Sequence, residues 1–257
     1  MAPRSPWTGE LRRVSSSYIV NSTTISINFC LQPVELEAAD KISSMMQEPD
    51  VSEELLLRLC SERLSESAID NIHRTLAFAK SLESTSISHP SMRAYFSHPL
   101  RVATLALRLV DQSSAEIVLM GLLHNVFEVT GLSESALLEA GFSERLASGI
   151  RLITIDRERQ FDARYLAKFY RHVQDFGDDL ALIKCVDKLD NLLAFQLVDG
   201  DIRDQYLETT SHFVKPIATQ LSQRFGDYFA AVIDYMQTVG CNQTLKSQYE
   251  AFKQGLN

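Results

Sequence analysis

Apolar residues recur at helical spacing along most of the chain, and this period constrains the fold more than any other feature of the sequence. Spacings of three and four place side chains on one face of an α-helix. The first two stripes comprise Leu55, Leu56, Leu59 and Leu64, and then Ile69, Ile72, Leu76 and Ala79. Further helices are predicted over residues 114–128, 133–139, 143–153, 159–173, 178–198 and 203–238. The sequence therefore predicts an all-α protein that folds as a compact multi-helix bundle.

The first part of the chain departs from this period. Residues 16–33 are rich in β-branched side chains, which favours a short hairpin or an extended arm. We therefore divide the 257 residues into an N-terminal arm over 1–50, a helical core over 51–200, and C-terminal helices over 201–257 that pack on that core.

Charge and composition exclude several functional classes. The net charge of −8 argues against a general binder of nucleic acid or of membrane surfaces. No stretch has the apolar length of a transmembrane helix, and the N-terminus lacks the apolar region of a signal peptide, so a cytoplasmic protein is expected. Four separated cysteines, without CxxC spacing, are expected to be reduced core thiols: Cys30, Cys60, Cys185 and Cys241.

Three polar interruptions stand out against the helical background. His98 precedes Pro99, which can occupy the first position of a helix. His124 and Asn125 interrupt a second helix, and Asp187 interrupts a third. A buried carboxylate must be paired, hydrogen-bonded or bound to a metal. Two imidazoles with carboxylate or amide oxygens suit manganese, iron or zinc better than calcium, so this pattern predicts a metal site.

Simpler interpretations remain open for each residue taken alone. His98 would serve as a residue at a helix start, and His124 as a hydrogen-bonded core histidine. Asp187 could pair with Lys184 or Lys188 on its own helix. Such a local pair at the surface contributes only about 0.3 to 0.5 kcal/mol.

Three segments in this order are similar to a known family: "YFSHPLRVA", "GLLHNVFEVTG" and "LALIKCVDKLDNL". They resemble the HD superfamily of metal-dependent phosphohydrolases, and within it the hydrolase domain of RelA/SpoT proteins and its small stand-alone relatives. The similarity covers about residues 65–200. It implies a helical fold, a bound Mn²⁺ ion and removal of pyrophosphate from the 3′ side of (p)ppGpp.

The resemblance also assigns expected roles to single residues. By position, the metal ligands would be His98, His124, Asp187 and Asn125, where Asn125 replaces the aspartate of the family's His-Asp doublet. Glu128 matches the first member of a catalytic acidic pair, and Asn191, which shares a helix face with Asp187, matches a substrate-site residue. Val129 stands where the second acid is expected. These two replacements predict weaker metal binding and the loss of one group that handles protons.

A basic segment offers a candidate phosphate site. Residues 157–171 contain five basic and two acidic side chains, in a chain whose net charge is negative. Arg164, Lys168 and Arg171 share a helical face and are expected to bind phosphate groups of the substrate. The alternative is an ordinary solvated helix face.

Two functions follow as hypotheses. The first is an HD-type phosphohydrolase that uses Mn²⁺, with Fe²⁺ or Zn²⁺ as alternatives, and acts on a nucleotide or another small phosphorylated molecule. The second is a catalytically inactive HD module that binds a nucleotide or a protein partner in a regulatory role. Neither hypothesis requires nucleic acid or a membrane, and the sequence leaves assembly into a homo-oligomer open.

Overall fold

The computed structural model describes Lys41, Met46 and residues 49–83, 92–110 and 114–255. Within these residues the regular structure is helical and contains no strand, which confirms the all-α prediction. The predicted hairpin or arm at residues 16–33, together with Cys30, lies outside the described residues.

The helices are short to medium in length and follow one another closely along the chain. We number them α1 Pro49–Ser61, α2 Glu66–Ser81, α3 Met92–Leu109, α4 Ala115–Leu123, α5 Val126–Thr130, α6 Glu134–Glu139, α7 Glu144–Ile153, α8 Ala163–Phe176, α9 Asp178–Leu192, α10 Gly200–Thr209, α11 Lys215–Leu221, α12 Gln223–Val239 and α13 Gln243–Gly255. Two 3₁₀ turns, Arg157–Arg159 and Phe195–Leu197, and a π-helical segment, Thr210–Val214, connect some of them.

Side-chain caps explain where several helices begin. A serine or aspartate immediately before the helix accepts a hydrogen bond from a backbone N–H in the first turn, which satisfies one of the free donors there. The capping residues are Ser65, Ser114, Ser133, Ser143 and Asp162. The predicted helix starts at 114, 133 and 143 therefore correspond to caps.

Two sequence predictions about helix boundaries are wrong near the candidate site. The predicted helix 114–128 is interrupted at His124 and Asn125, which form a turn between α4 and α5. Pro99 does not begin a helix, because α3 starts at Met92 and continues through it. The helix forgoes one backbone hydrogen bond at Pro99, and burial of the flanking side chains stabilises it there.

The C-terminal part is also more divided than the predicted helix 203–238. The π-helical segment Thr210–Val214 ends two residues before Pro216, whose ring would clash with the carbonyl four residues earlier in a regular α-helix. Ser222 is extended and separates α11 from α12. The helix predicted over 178–198 ends earlier, at Leu192, and a 3₁₀ turn follows.

Helix α9 lies at the centre of the bundle. Nearly all of its side chains are buried, and it contacts α3, α4, α7, α8, α11 and α12. Helices α3 and α4 pack on each other and on α9, so the three helices that carry the polar interruptions meet in the core. None of the helices in the described part of the chain is long and apolar enough to cross a membrane.

Candidate metal site

A close approach between α3 and α4 brings the first two motifs together. A Cβ atom on Gly121 of α4 would lie 2.7 Å from the Cα atom of Ala103 on α3, which is closer than real atoms approach. Glycine is therefore required where these helices touch. The contact holds His98, on α3, next to His124, directly after α4.

The turn after α4 fixes the orientation of His124. The His124 side chain is fully buried, and its Nδ1 atom lies 2.7 Å from the carbonyl oxygen of Gly121. A carbonyl can only accept, so Nδ1 carries the proton and Nε2 presents its lone pair. Burial lowers the pKa of His124, which favours this neutral form.

His98 is oriented in the same way by a carboxylate. Its Nδ1 atom lies 2.6 Å from Oδ2 of Asp190, and it donates its proton to that oxygen. The Nε2 atom therefore also presents a lone pair. A carboxylate or carbonyl behind the imidazole is the usual arrangement for a histidine that binds a metal.

Three acceptor atoms converge in front of these histidines. His98 Nε2 lies 3.1 Å from His124 Nε2 and 3.4 Å from Asp187 Oδ1, and the remaining distance, from His124 Nε2 to Asp187 Oδ1, is 3.7 Å. We call these three residues the ligand triangle. Metal–ligand bonds of about 2.1 Å separate neighbouring ligand atoms by about 3.0 to 3.4 Å. The ligand triangle thus has the dimensions of one face of a metal coordination sphere.

The electrostatics of the ligand triangle require a positive centre. Two nitrogen lone pairs and one carboxylate oxygen face each other, and acceptors at this distance repel unless a cation lies between them. A divalent metal ion supplies that charge, and a proton on one imidazole would supply it in a metal-free chain. The residues of the ligand triangle therefore fit a metal ion, and the donor set of two nitrogens and one oxygen suits a first-row ion.

The second oxygen of Asp187 is engaged separately. Oδ2 lies 3.0 Å from the Lys184 ammonium group and 3.8 Å from that of Lys188, and both lysines are buried. Burial acts to raise the pKa of Asp187, but the two lysines hold it well below its usual range. The predicted lysine pairing and the predicted approach to histidine are therefore both present, one on each carboxylate oxygen.

Asn125 lies beside the ligand triangle. Its Nδ2 atom is 3.5 Å from His98 Nε2, and its side chain is buried. Rotation of the amide group by half a turn would place Oδ1 in the same position, so Asn125 is near enough to supply a fourth, neutral oxygen ligand.

Glu128 lies in α5, after the turn that separates this helix from α4. Because the turn at residues 124 and 125 breaks the helix, the Glu128 carboxylate extends towards the segment after α7. Its Oε1 accepts a hydrogen bond from the Ile155 N–H at 3.2 Å, and its Oε2 lies 2.6 Å from the Arg157 guanidinium group. Next to it, Val129 is buried. We call Asn125, Glu128 and Val129 the acid corner.

Asn191 contacts the ligand triangle from the same helix as Asp187. Its Nδ2 donates to Asp187 Oδ1 at 2.8 Å, as the four-residue spacing predicts. Asn191 therefore holds in place the Asp187 oxygen that faces the two histidines.

The three predicted phosphate-binding residues lie on α8. Arg164, Lys168 and Arg171 are exposed on one face of this helix, and its opposite face packs into the core through Leu166 and Tyr170. Their role in substrate binding stays a prediction. Arg157, from the same basic segment, contacts Glu128 and is the member that reaches the candidate site.

Sequence reasoning missed an ion-pair cluster behind His98. Asp190 receives, besides the His98 proton, the forked guanidinium group of Arg101 at 3.0 and 3.2 Å and the ammonium group of Lys41 at 2.5 Å. Burial acts to raise the pKa of Asp190, but Arg101 and Lys41 hold it well below its usual range. The available signal was a second carboxylate three residues after Asp187 on the same helix.

One small cavity lies beside Lys188, the residue after Asp187. It is lined by Tyr170, Lys188, Tyr206 and Thr210 and has room for about one water molecule. A cleft of about 580 Å³ lies elsewhere, between α2, α4 and the start of α7, and none of the ligand-triangle residues lines it. Its lining includes the edge-to-face pair Phe78 and Phe142.

Comparisons with protein-family models, with curated proteins and with solved structures find no match for this chain. The resemblance to HD phosphohydrolases therefore rests on the motif residues themselves. The structure brings His98, His124 and Asp187 together as a group that could hold a metal ion.

Proposed function

We propose that this protein is a metal-dependent phosphohydrolase of the HD type that acts on a nucleotide or a pyrophosphate compound related to (p)ppGpp. One observation carries the proposal: two imidazoles, each fixed through Nδ1, and one carboxylate oxygen converge at distances of 3.1 to 3.7 Å. A simple core histidine needs a single hydrogen-bond partner and no second imidazole opposite it. Mn²⁺ is the proposed ion, with Fe²⁺ and Zn²⁺ as alternatives.

The charge around the ligand triangle supports an anionic ligand. Cationic side chains outnumber carboxylates in the connected ion pairs, because Lys41, Lys184, Lys188, Arg101 and Arg157 surround Asp187, Asp190 and Glu128. Burial lowers the pKa of both Lys184 and Lys188. Phosphate groups near the ion would offset this positive charge and would favour the protonated lysines.

The proposed roles of single residues follow from their positions. A bound divalent ion would supply a nucleophilic water near neutral pH and stabilise charge on the phosphoryl group. Glu128 would orient or deprotonate that water after exchanging its contact with Arg157, and Asn191 would position Asp187 and contact substrate. Arg164, Lys168 and Arg171 would bind further phosphate groups on the exposed face of α8.

A second candidate function is a catalytically inactive HD module that binds a nucleotide or a protein partner. A specific observation favours it: both oxygens of Glu128 are already engaged, by the Ile155 N–H and by Arg157. The neighbouring Val129 cannot replace Glu128 as a base. This candidate retains the ligand triangle as a structural or ligand-binding centre without turnover.

A phosphate-release screen separates the two candidates. The purified protein is loaded with Mn²⁺, Fe²⁺ or Zn²⁺ and assayed for release of phosphate or pyrophosphate from (p)ppGpp, nucleoside polyphosphates and simple phosphate esters. The first candidate predicts metal-dependent turnover that His124→Ala abolishes and that His172→Ala, which removes an exposed imidazole on α8, leaves intact. Nucleotide binding without turnover supports the second candidate. If the protein binds no metal and no nucleotide and shows no turnover, both the phosphohydrolase and the nucleotide-binding module are contradicted.

A further inference from the structure

Asp190 occupies an unusual place for a structural ion pair. It lies one helical turn after Asp187 on α9 and is 1 % exposed. Its Oδ2 accepts hydrogen bonds from His98, Lys41 and Arg101, and its Oδ1 accepts a further one from Arg101. The carboxylate therefore accepts hydrogen bonds from three side chains, two on α3 and one from the residues before α1.

Stability alone does not account for this cluster. Buried ion pairs rarely stabilise a fold more than well-packed apolar residues of the same volume, because removing the charges from water is costly. Three charged side chains around one imidazole therefore point to a task at that imidazole. The hydrogen bond from His98 Nδ1–H to Asp190 indicates that task. It keeps the proton on Nδ1, so that the Nε2 lone pair faces the centre of the ligand triangle.

The two cations determine where the carboxylate points. Arg101 lies three residues after His98 on α3, and its planar fork binds both carboxylate oxygens, which fixes the plane of the Asp190 side chain. Lys41 approaches Oδ2 from the residues before α1 and also reaches the Asp190 carbonyl oxygen. With the carboxylate held on both sides, Oδ2 remains 2.6 Å from His98 Nδ1.

We propose that Asp190 is a positioning residue for His98, and that Arg101 and Lys41 hold its carboxylate so that the ligand triangle binds a divalent cation tightly. This inference rests on the proposed metal-binding function. Loss of such a partner typically weakens metal binding by about 10- to 100-fold. The affinity of the site would then depend on residues that never contact the ion.

The test uses Co²⁺ titrations of the full chain, because Co²⁺ reports both affinity and ligand geometry through its visible absorption bands. Asp190→Asn alone removes the negative partner of the buried Lys41 and the partly buried Arg101, which destabilises the fold, so it is combined with Lys41→Met to preserve charge balance. We expect the dissociation constant for Co²⁺ to rise by about 10- to 100-fold, with altered absorption bands and an unchanged far-ultraviolet circular dichroism spectrum. Asp199→Asn, which removes an exposed aspartate paired with Lys246, is the matched control and should change nothing.

A double-mutant cycle identifies the route of the effect. In a His98→Ala background, the Asp190→Asn and Lys41→Met pair should cause little further loss of Co²⁺ affinity, because the residue through which Asp190 acts is gone. An equal loss in both backgrounds contradicts positioning through His98. Unchanged affinity in the folded Asp190→Asn and Lys41→Met variant overturns the inference while leaving the metal site intact.

The protonated nitrogen of His98 gives a readout that needs no metal. Long-range ¹H–¹⁵N NMR correlation should show Nδ1 protonated in the metal-free parent and a mixture of tautomers in the variant. If the parent binds no Co²⁺, the proposed function fails, and the tautomer alone then decides the role of Asp190. The same tautomer in both proteins contradicts that role.

Discussion

The ligand triangle and the acid corner are adjacent, but they differ in how well their side chains suit metal chemistry. In the ligand triangle, every atom that faces the centre has a partner behind it that fixes its orientation: Gly121 for His124, Asp190 for His98 and Asn191 for Asp187. In the acid corner, Asn125 is neutral, Glu128 is engaged by Arg157, and Val129 is apolar and buried.

This difference separates two properties that an active site usually combines. Binding of an ion depends on the number, charge and orientation of the ligands, and the ligand triangle supplies the orientation. Turnover also needs a group that can move a proton, and Glu128 must leave an ion pair to do so. The structure therefore supports metal binding more directly than it supports catalysis.

The largest expected effect comes from breaking the ligand triangle. His124→Ala removes one of three ligands and should abolish stoichiometric binding of Mn²⁺, measured by isothermal titration calorimetry and by metal analysis of the purified protein. His172→Ala removes an exposed imidazole and should bind Mn²⁺ as the parent does. Equal binding by His124→Ala and the parent places the ion elsewhere.

A large gain is expected from restoring the acid corner. Asn125→Asp adds a ligand charge beside His98 and should tighten Mn²⁺ binding by about tenfold, which is 1.4 kcal/mol. Combined with Val129→Asp, it should raise hydrolysis of (p)ppGpp or a related pyrophosphate compound well above that of the parent, measured as released pyrophosphate.

Val129 is buried, so Val129→Asp lowers the stability of the fold. A buried polar group without a hydrogen-bond partner lowers the free energy of unfolding by about 1 to 3 kcal/mol. Val129→Asn, combined with Asn125→Asp, is the matched control, since it has the same size and polarity without an acid group. A folded, metal-loaded double aspartate variant that hydrolyses none of these compounds rejects a (p)ppGpp-like substrate. Turnover of another phosphate ester by the parent shows altered specificity at the acid corner.

A smaller effect is expected on thermal stability. Mn²⁺ at a hundred times its dissociation constant should stabilise the fold by about 2.7 kcal/mol. For a chain of this size, that corresponds to a rise in melting temperature of about 5 to 10 °C, and a chelator should reverse it. Differential scanning calorimetry of the parent and of His124→Ala measures the difference, and an equal shift in both proteins excludes the ligand triangle as its source.

The smallest expected effect concerns the exposed face of α8. Replacing Arg164, Lys168 and Arg171 together by alanine should change the free energy of unfolding by only a few tenths of a kcal/mol per residue, since all three are exposed. If this face binds phosphate groups, the KM for a polyphosphate substrate should rise several-fold at low salt, while kcat stays constant. An unchanged KM assigns these residues to an ordinary solvated surface.

Sequence periodicity was enough to predict the helical class and several helix starts, because the apolar spacing and the capping serines are local signals. The convergence of His98, His124 and Asp187 could be predicted only through the order of their motifs. Their separation along the chain carries no distance information, and the close approach at Gly121 is a property of packing. The contact that fixes His98, with Asp190, depends on the same long-range packing, whereas the contact that fixes His124 joins residues only three apart.

The break at His124 and Asn125 had no strong local signal. The apolar residues on either side continue the helical pattern, and neither proline nor glycine marks the turn itself. The prediction of one continuous helix over 114–128 was therefore wrong. Asp190 was missed for a related reason, since its partners Arg101 and Lys41 come from distant parts of the chain.

The central claim is that the ligand triangle holds a divalent metal ion. Its most direct test is anomalous X-ray scattering at the manganese absorption edge from crystals of the full chain grown with Mn²⁺. The account predicts one strong peak at about 2.1 Å from His98 Nε2, His124 Nε2 and Asp187 Oδ1. A well-ordered ligand triangle with no peak at saturating Mn²⁺, or with the peak at other residues, contradicts it.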